Sequence, residues 1–143
     1  MSHSFNKIWI HAIWATKFRK PIIESNIENK IYNFISEQLR EQGCHVRIIN
    51  GMPDHIHCLF LLNRQKSIAD VIKQIKGSSS HYINQNNLSS EKFSWQTGYA
   101  AFSVSESAVE KVYQYIKAQK EHHHKKTFQE EYDAFIKLNG LEP

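Results

Sequence analysis

Apolar residues recur along this chain in two rhythms, and each change of rhythm predicts a new element. Ile8 to Thr16 (IWIHAIWAT) is crowded with β-branched and aromatic residues and reads as a first strand, buried on both faces. Ser25 and Glu28 have capping-box spacing, and Ile27, Ile31, Phe34, Ile35 and Leu39 repeat at helical intervals as far as Gly43, predicting a helix over about 26–42. Cys44 to Asn50 reads as a second strand. Gly51-Met52-Pro53-Asp54 is a turn that hands it to the apolar run His55 to Leu62, so the second and third strands form a hairpin. Ser67 and Asp70 repeat the capping spacing before a second helix with Ile68, Val71, Ile72 and Ile75 as its stripe, and the segment 82–90 reads as a helix end running into a loop. Phe93 to Ser105 predicts a fourth strand bent at Gly98. From about Ser107 to His123, Val109, Val112, Tyr113 and Ile116 define a third amphipathic helix. Thr127 and Glu130 then cap a last one over about 127–140, with Phe128, Tyr132, Phe135, Ile136 and Leu138 as its apolar positions.

Strand, helix, strand, strand, helix, strand is the order of the ferredoxin-like split β-α-β. It predicts an α+β sandwich with a four-stranded antiparallel sheet, two helices on one face, and extra C-terminal helices. The other face of such a sheet is expected to be free, and faces of this kind carry RNA in RNA-recognition motifs, an analogy of topology alone. The aromatic-glycine signature of those motifs is not evident here.

At 143 residues and 41% hydrophobic content, one domain over 1–143 is expected, with a core at about 5–126. A net charge of +4 and a pI near 9.0 favour a polyanionic partner. Cys44 and Cys58 are too few and too far apart for a disulfide framework, which suits a reducing cytosol. The N-terminal stretch lacks a basic region followed by an apolar core, and no run reaches membrane-spanning length, so a soluble protein of the cell interior is expected.

Chemistry concentrates where the turn meets the third strand. Strand side chains alternate, so His55 and His57 point the same way, close enough to share one metal ion or one phosphate. The alternative is a pair of core histidines satisfied by hydrogen bonds. His11 in the first strand reads as a core residue or a group supporting such a site. Lys17, Arg19 and Lys20 surround Phe18, a cluster that fits either a solvated loop or phosphate contact with a base stacked on the ring. Lys73, Lys76, Ser78 and Ser79 read either as a solvated helix face with a break at Gly77 or as a backbone-contacting surface. His122 to Lys126 (HHHKK) is a second basic run, phosphate-facing or simply solvated, from which His123, Lys125 and Lys126 are the candidate contacts. On the third helix, Tyr113 lies in the apolar stripe. Tyr115 and Gln119 lie roughly 70 to 110° off its centre, one turn apart, a hydroxyl beside an amide that can offer oxygen to a metal.

The sequence HIH after GMPD, the segment WQTGYAAFSVS, and YIKAQ followed by EHHHKKTFQEE together resemble the HUH-type single-tyrosine transposases of the insertion-sequence 200 class. The likeness covers nearly the whole chain. It implies that His55, His57 and Gln119 bind a divalent cation, magnesium or manganese, and that Tyr115 is the nucleophile. It further implies single-stranded DNA with hairpin ends as substrate, a 5′-phosphotyrosine intermediate, and a homodimer whose active sites are shared between subunits. Ala100 stands where a glycine is expected and His124 where a basic residue is more familiar. Two other readings stay open: a host nuclease of the same family that processes repeats, and a nucleic-acid-binding module without activity.

Overall fold

The computed structural model describes residues 5–122 and 127–138. Four strands, β1 (Trp9–Ala15), β2 (His45–Met52), β3 (His55–Leu61) and β4 (Ala100–Val104), form one antiparallel sheet in the order β2-β3-β1-β4. Helices α1 (Glu28–Glu41) and α2 (Ile68–Gln85) connect them in the ferredoxin-like sequence, and α3 (Val109–Lys117), α4 (Gln119–His122) and α5 (Phe128–Leu138) follow. The β2–β3 hairpin is tight because Gly51 has no side chain. A Cβ there would overlap the backbone of His55 and Ile56, coming within 2.8 Å of Ile56 Cα.

Alternation along the central strands sorts the core into two layers. Ile10, Ala12 and Trp14 of β1 and Ile56, Cys58 and Phe60 of β3 face α1 and α2, packing against Ile31, Ile35, Leu39, Val71, Ile72 and Ile75. Fully burying each large apolar side chain contributes roughly 1.5–3 kcal/mol, and this layer holds most of them.

The second face of the sheet is not free as the strand order suggested. It carries Trp9, Ile13, Leu59 and Phe102, too much hydrocarbon to leave in water. Val109 and Ile116 of α3 cover Trp9 and Leu59, while Phe128, Tyr132, Phe135 and Ile136 of α5 cover Ile13 and Phe102.

Local departures have identifiable causes. The first helix begins at Glu28 with Ile27 at its cap and no side-chain cap bond, so Ser25 does not serve as its cap; the backbone N–H groups of Ile27 and Glu28 bond Glu24 O instead. Ser67 does cap α2, its Oγ accepting from Asp70 N–H at 3.1 Å. That helix runs through Gly77 without a break. The fourth strand is shorter than expected because the stretch 97–99 interrupts its pairing: Trp95 still bridges Thr16 beyond the end of β1, and the Phe93 and Trp95 side chains pack into the α1/α2 layer. Gly98 turns the chain back at φ +92°, and Lys76 Nζ ties the carbonyls of Gln96 and Gly98 at 2.7 Å each. The predicted third helix is interrupted at Ala118, separating α3 from the short α4.

A candidate catalytic site on the second face of the sheet

β3 places His55 and His57 on the same face, both fully buried. Each ring is oriented by the nitrogen that does not face the site. His55 Nδ1 bonds Asp54 Oδ1 at 2.7 Å, and His57 Nδ1 lies 2.8 Å from His11 Nε2 on the neighbouring strand. Both Nε2 atoms therefore point to a common position, occupied by Glu131 Oε1 at 3.3 Å from His55 and 3.0 Å from His57. His11 is thus the supporting group beneath the pair.

The tyrosine comes from α3, and β2 fixes where that helix ends. Asn50, paired across the sheet with His57, donates from Nδ2 to the carbonyls of Ile116 and Lys117 at 3.0 and 3.2 Å, satisfying backbone acceptors of the last turn. Lys120 Nζ binds Gly51 O and lies 3.1 Å from Glu28 Oε2, which adds a second tie. Tyr113 turns away to stack under the Arg47 guanidinium, 4.0 Å from its ring centroid. Tyr115 turns inward, its ring 6.0 Å from that of His57, and its hydroxyl donates to Glu131 Oε2. Gln119, fully buried, donates from Nε2 to the same oxygen at 3.1 Å. All of this lies within one chain. After the 3-10 turn Glu106–Ala108, Val109 and Ile116 of α3 pack on Trp9 and Leu59 of the sheet.

Glu131 is the residue that the sequence reading missed. It is only 3% exposed and sits on the apolar stripe of α5, three residues after Phe128 and four before Phe135. A carboxylate in that stripe is costly unless donors surround it, and that mismatch is the signal that could have found it. Burial pushes its carboxyl upward, but hydrogen bonds from His55, His57 and Tyr115 outweigh this and hold it well below the usual range. Burial and the Glu131 charge push the Tyr115 phenol well above its ordinary value, so it stays protonated at rest. His11 is held neutral by burial and by its neighbour His57, which leaves it a lone pair for the His57 N–H. For His55, burial works against the charged form, yet the bonds to Asp54 and Glu131 raise it overall.

The donor set fits a divalent cation. Ligand atoms of His55, His57 and Glu131 lie within 4.8 Å of one another, all three residues buried, and two imidazoles with one oxygen are a common set for first-row metals. Gln119 is adjacent, with its N–H side turned toward Glu131.

The other candidates scatter. Lys17, Arg19 and Lys20 form a 3-10 turn and its cap just after β1, whose last residue, Ala15, pairs with His55. Arg19 bonds Gln129 Oε1 of α5 at 2.9 Å, Lys20 pairs with Glu91 at 2.8 Å, and Phe18 is 80% exposed. Lys73, Lys76, Ser78 and Ser79 belong to α2, the helix packed on the opposite face from the histidines. Ser79 is fully buried and accepts from Trp95 Nε1 at 2.9 Å, so it is a packing residue and not a phosphate contact. His123, Lys125 and Lys126 lie outside the described residues. No helix of the described residues is long and apolar enough to cross a membrane.

Fold and site together define a class: a ferredoxin-like sheet whose central strand presents a histidine pair to a tyrosine on an added helix. The chain belongs to the IS200-like transposases, the family described as "Transposase IS200 like", which matches residues 4–119. It is therefore a DNA-cleaving enzyme of the kind that acts in DNA transposition. It is 25% identical over 114 residues to the ISDra2 transposase TnpA of Deinococcus radiodurans, covering 76% of this chain and 81% of that protein. Among solved structures, a Deinococcus radiodurans R1 protein described as a transposase superposes with a TM-score of 0.66 at 24% identity, over 83% of this chain and 95% of the other. A REP-associated tyrosine transposase bound to a REP hairpin superposes with a TM-score of 0.63 at 15% identity, over 86% and 74%.

Proposed function

We propose that this single-domain chain nicks and rejoins single-stranded DNA, with Tyr115 as nucleophile and His55 and His57 as the core of a divalent-metal site. One observation carries the reading: the Tyr115 hydroxyl and the Nε2 atoms of both histidines converge on the two oxygens of one carboxylate, a group close in size and charge to a phosphodiester.

The Tyr115 oxygen attacks phosphorus, the bond from phosphorus to the 3′ oxygen breaks, and that oxygen leaves as a 3′-hydroxyl once protonated. The strand is left with a 5′-phosphotyrosine on Tyr115. Attack by a 3′-hydroxyl on that linkage reverses the step and frees the phenol, so rejoining needs no nucleotide cofactor. His55 and His57 would hold magnesium or manganese with a third donor from Glu131 or from the Gln119 amide oxygen. A cation bound there would polarise the scissile phosphate and offset its charge. Asp54 and His11 keep the two rings in the tautomer that presents Nε2. Asn50 holds the end of α3 so that Tyr115 meets the pair.

Hairpin-bearing single strands are the proposed substrate, a likeness supported by the hairpin-bound relative. Lys17, Arg19 and Lys20, beside the His55 end of the sheet, are the proposed phosphate contacts, whereas Lys73, Lys76 and Ser78 face the other way. A cytoplasmic location suits such a substrate. A homodimer whose active sites are shared between subunits, as the resemblance implies, is the proposed assembly, with action in cis as the arrangement to test against it.

The decisive experiment incubates a labelled hairpin oligonucleotide with the full chain and manganese. Tyr115→Phe should abolish the covalent protein–DNA adduct, Tyr113→Phe should keep it, and chelator should stop cleavage. Adducts persisting in Tyr115→Phe, or equal cleavage in chelator, would overturn the assignment.

A further inference from the structure

The groups that must meet a phosphate are shut away from solvent. His55, His57 and Gln119 are 0% exposed and Glu131 is 3% exposed, so no DNA backbone reaches them in this conformation. What shuts them in is α5. Phe128 lies over His55 with ring centroids 4.4 Å apart, and Phe135 packs edge-on against both His11 and Tyr115 at 5.2 and 5.4 Å. Between these rings, Glu131 reaches in and takes the donors that a scissile phosphate needs: the Tyr115 hydroxyl, the Gln119 N–H and the Nε2 face of the histidine pair.

We propose that α5 is a displaceable lid that competes with single-stranded DNA for the second face of the sheet, with the Glu131 carboxylate standing in the place of the scissile phosphate. The inference rests on the function proposed above and adds its regulation. The clasp is made by side chains. It consists of the Glu131 bonds, the Arg19 to Gln129 bond at 2.9 Å, and the ring contacts of Phe128, Tyr132 and Phe135. Packing along its edge is incomplete, since a cleft of about 320 Å³ opens between α5, Arg19 and the segment leading into β4. A helix held this way is suited to leaving as a unit. Its departure also releases the Gln119 amide from Glu131. A cation held by the histidine pair would then have Glu131 as third donor in the closed form and the Gln119 amide oxygen in the open one.

The test uses the full chain, a fluorescein-labelled single-stranded oligonucleotide carrying a hairpin, and chelator, so that binding is read without chemistry. Phe135→Asp and Glu131→Ala, each checked for native circular dichroism, should bind about tenfold more tightly by anisotropy if the open form is about a tenth of the population. With manganese both should also nick faster. In the unmodified protein, oligonucleotide binding should speed hydrogen exchange of the 128–138 amides, a readout that survives if a variant fails to fold. Slower exchange of those amides on DNA binding would overturn the lid. So would unchanged affinity in both variants, or loss of nicking in Glu131→Ala with DNA affinity intact, which would make Glu131 a working ligand. None of these outcomes depends on which tyrosine forms the adduct, so failure of the lid and failure of the nucleophile assignment are separable.

Discussion

Replacing His11 with phenylalanine isolates one hydrogen bond beneath the histidine pair. The His11 ring is 2% exposed and stacks against His57 with centroids 5.1 Å apart, 5.2 Å from Phe135 and 6.3 Å from Phe102. A phenyl ring keeps those contacts and nearly the same volume, but it cannot accept from His57 Nδ1, now 2.8 Å from His11 Nε2. The stranded N–H is buried, where an unsatisfied donor costs about 1–3 kcal/mol. It also removes the group that fixes which His57 nitrogen faces the site. Losses of this kind lower metal affinity by about 10- to 100-fold, or about 1.4–2.8 kcal/mol. Manganese titration by calorimetry of the full chain reads the affinity, and urea unfolding in chelator reads the stability. His11→Gln, whose amide oxygen can accept the same bond, should recover part of both. Manganese affinity within about a factor of two of the parent in His11→Phe, with the fold intact, would refute the claim that His11 orients His57.

Two further predictions address assignments that the structure redraws. Ser79→Ala removes the acceptor of the buried Trp95 N–H and should cost about 1–2 kcal/mol, lowering the melting temperature by about 2–5 °C per kcal/mol while leaving oligonucleotide affinity unchanged; a salt-dependent loss of DNA affinity instead would restore it as a phosphate contact. Mixing Tyr115→Phe with His57→Ala chains should recover no cleavage if each chain completes its own site, and recovery after subunit exchange would favour the shared homodimer.

Much of this architecture was legible because strands announce themselves by alternation. The order of elements, the β2–β3 hairpin and the shared face of His55 and His57 all follow from period-two patterning and turn residues. Tyr115 was separable from Tyr113 because 100° per residue puts them on different sides of one helix, and Tyr113 does turn away beneath Arg47. What the pattern could not supply was how the last two helices dock. Amphipathic stripes at 107–123 and 127–140 show that each helix needs a surface without saying which, so the pattern alone leaves the sheet face they cover open. Glu131 was hidden by the same gap, since a carboxylate inside an apolar stripe has no stated partner until the stripe has a place to sit. Ser79 misled for the opposite reason: in a run of three serines nothing local distinguishes the one turned inward to Trp95.

The alternation of β3 has an evolutionary corollary. Ile56, Cys58 and Phe60 are spent wholly on the α1/α2 core, while His55 and His57, interleaved with them, make no contribution to that layer. Selection can therefore tune the helix-facing core through the even positions almost independently of the odd ones. A lineage that discards a histidine must also replace Glu131, because the rings it would lose are what offset that buried carboxylate.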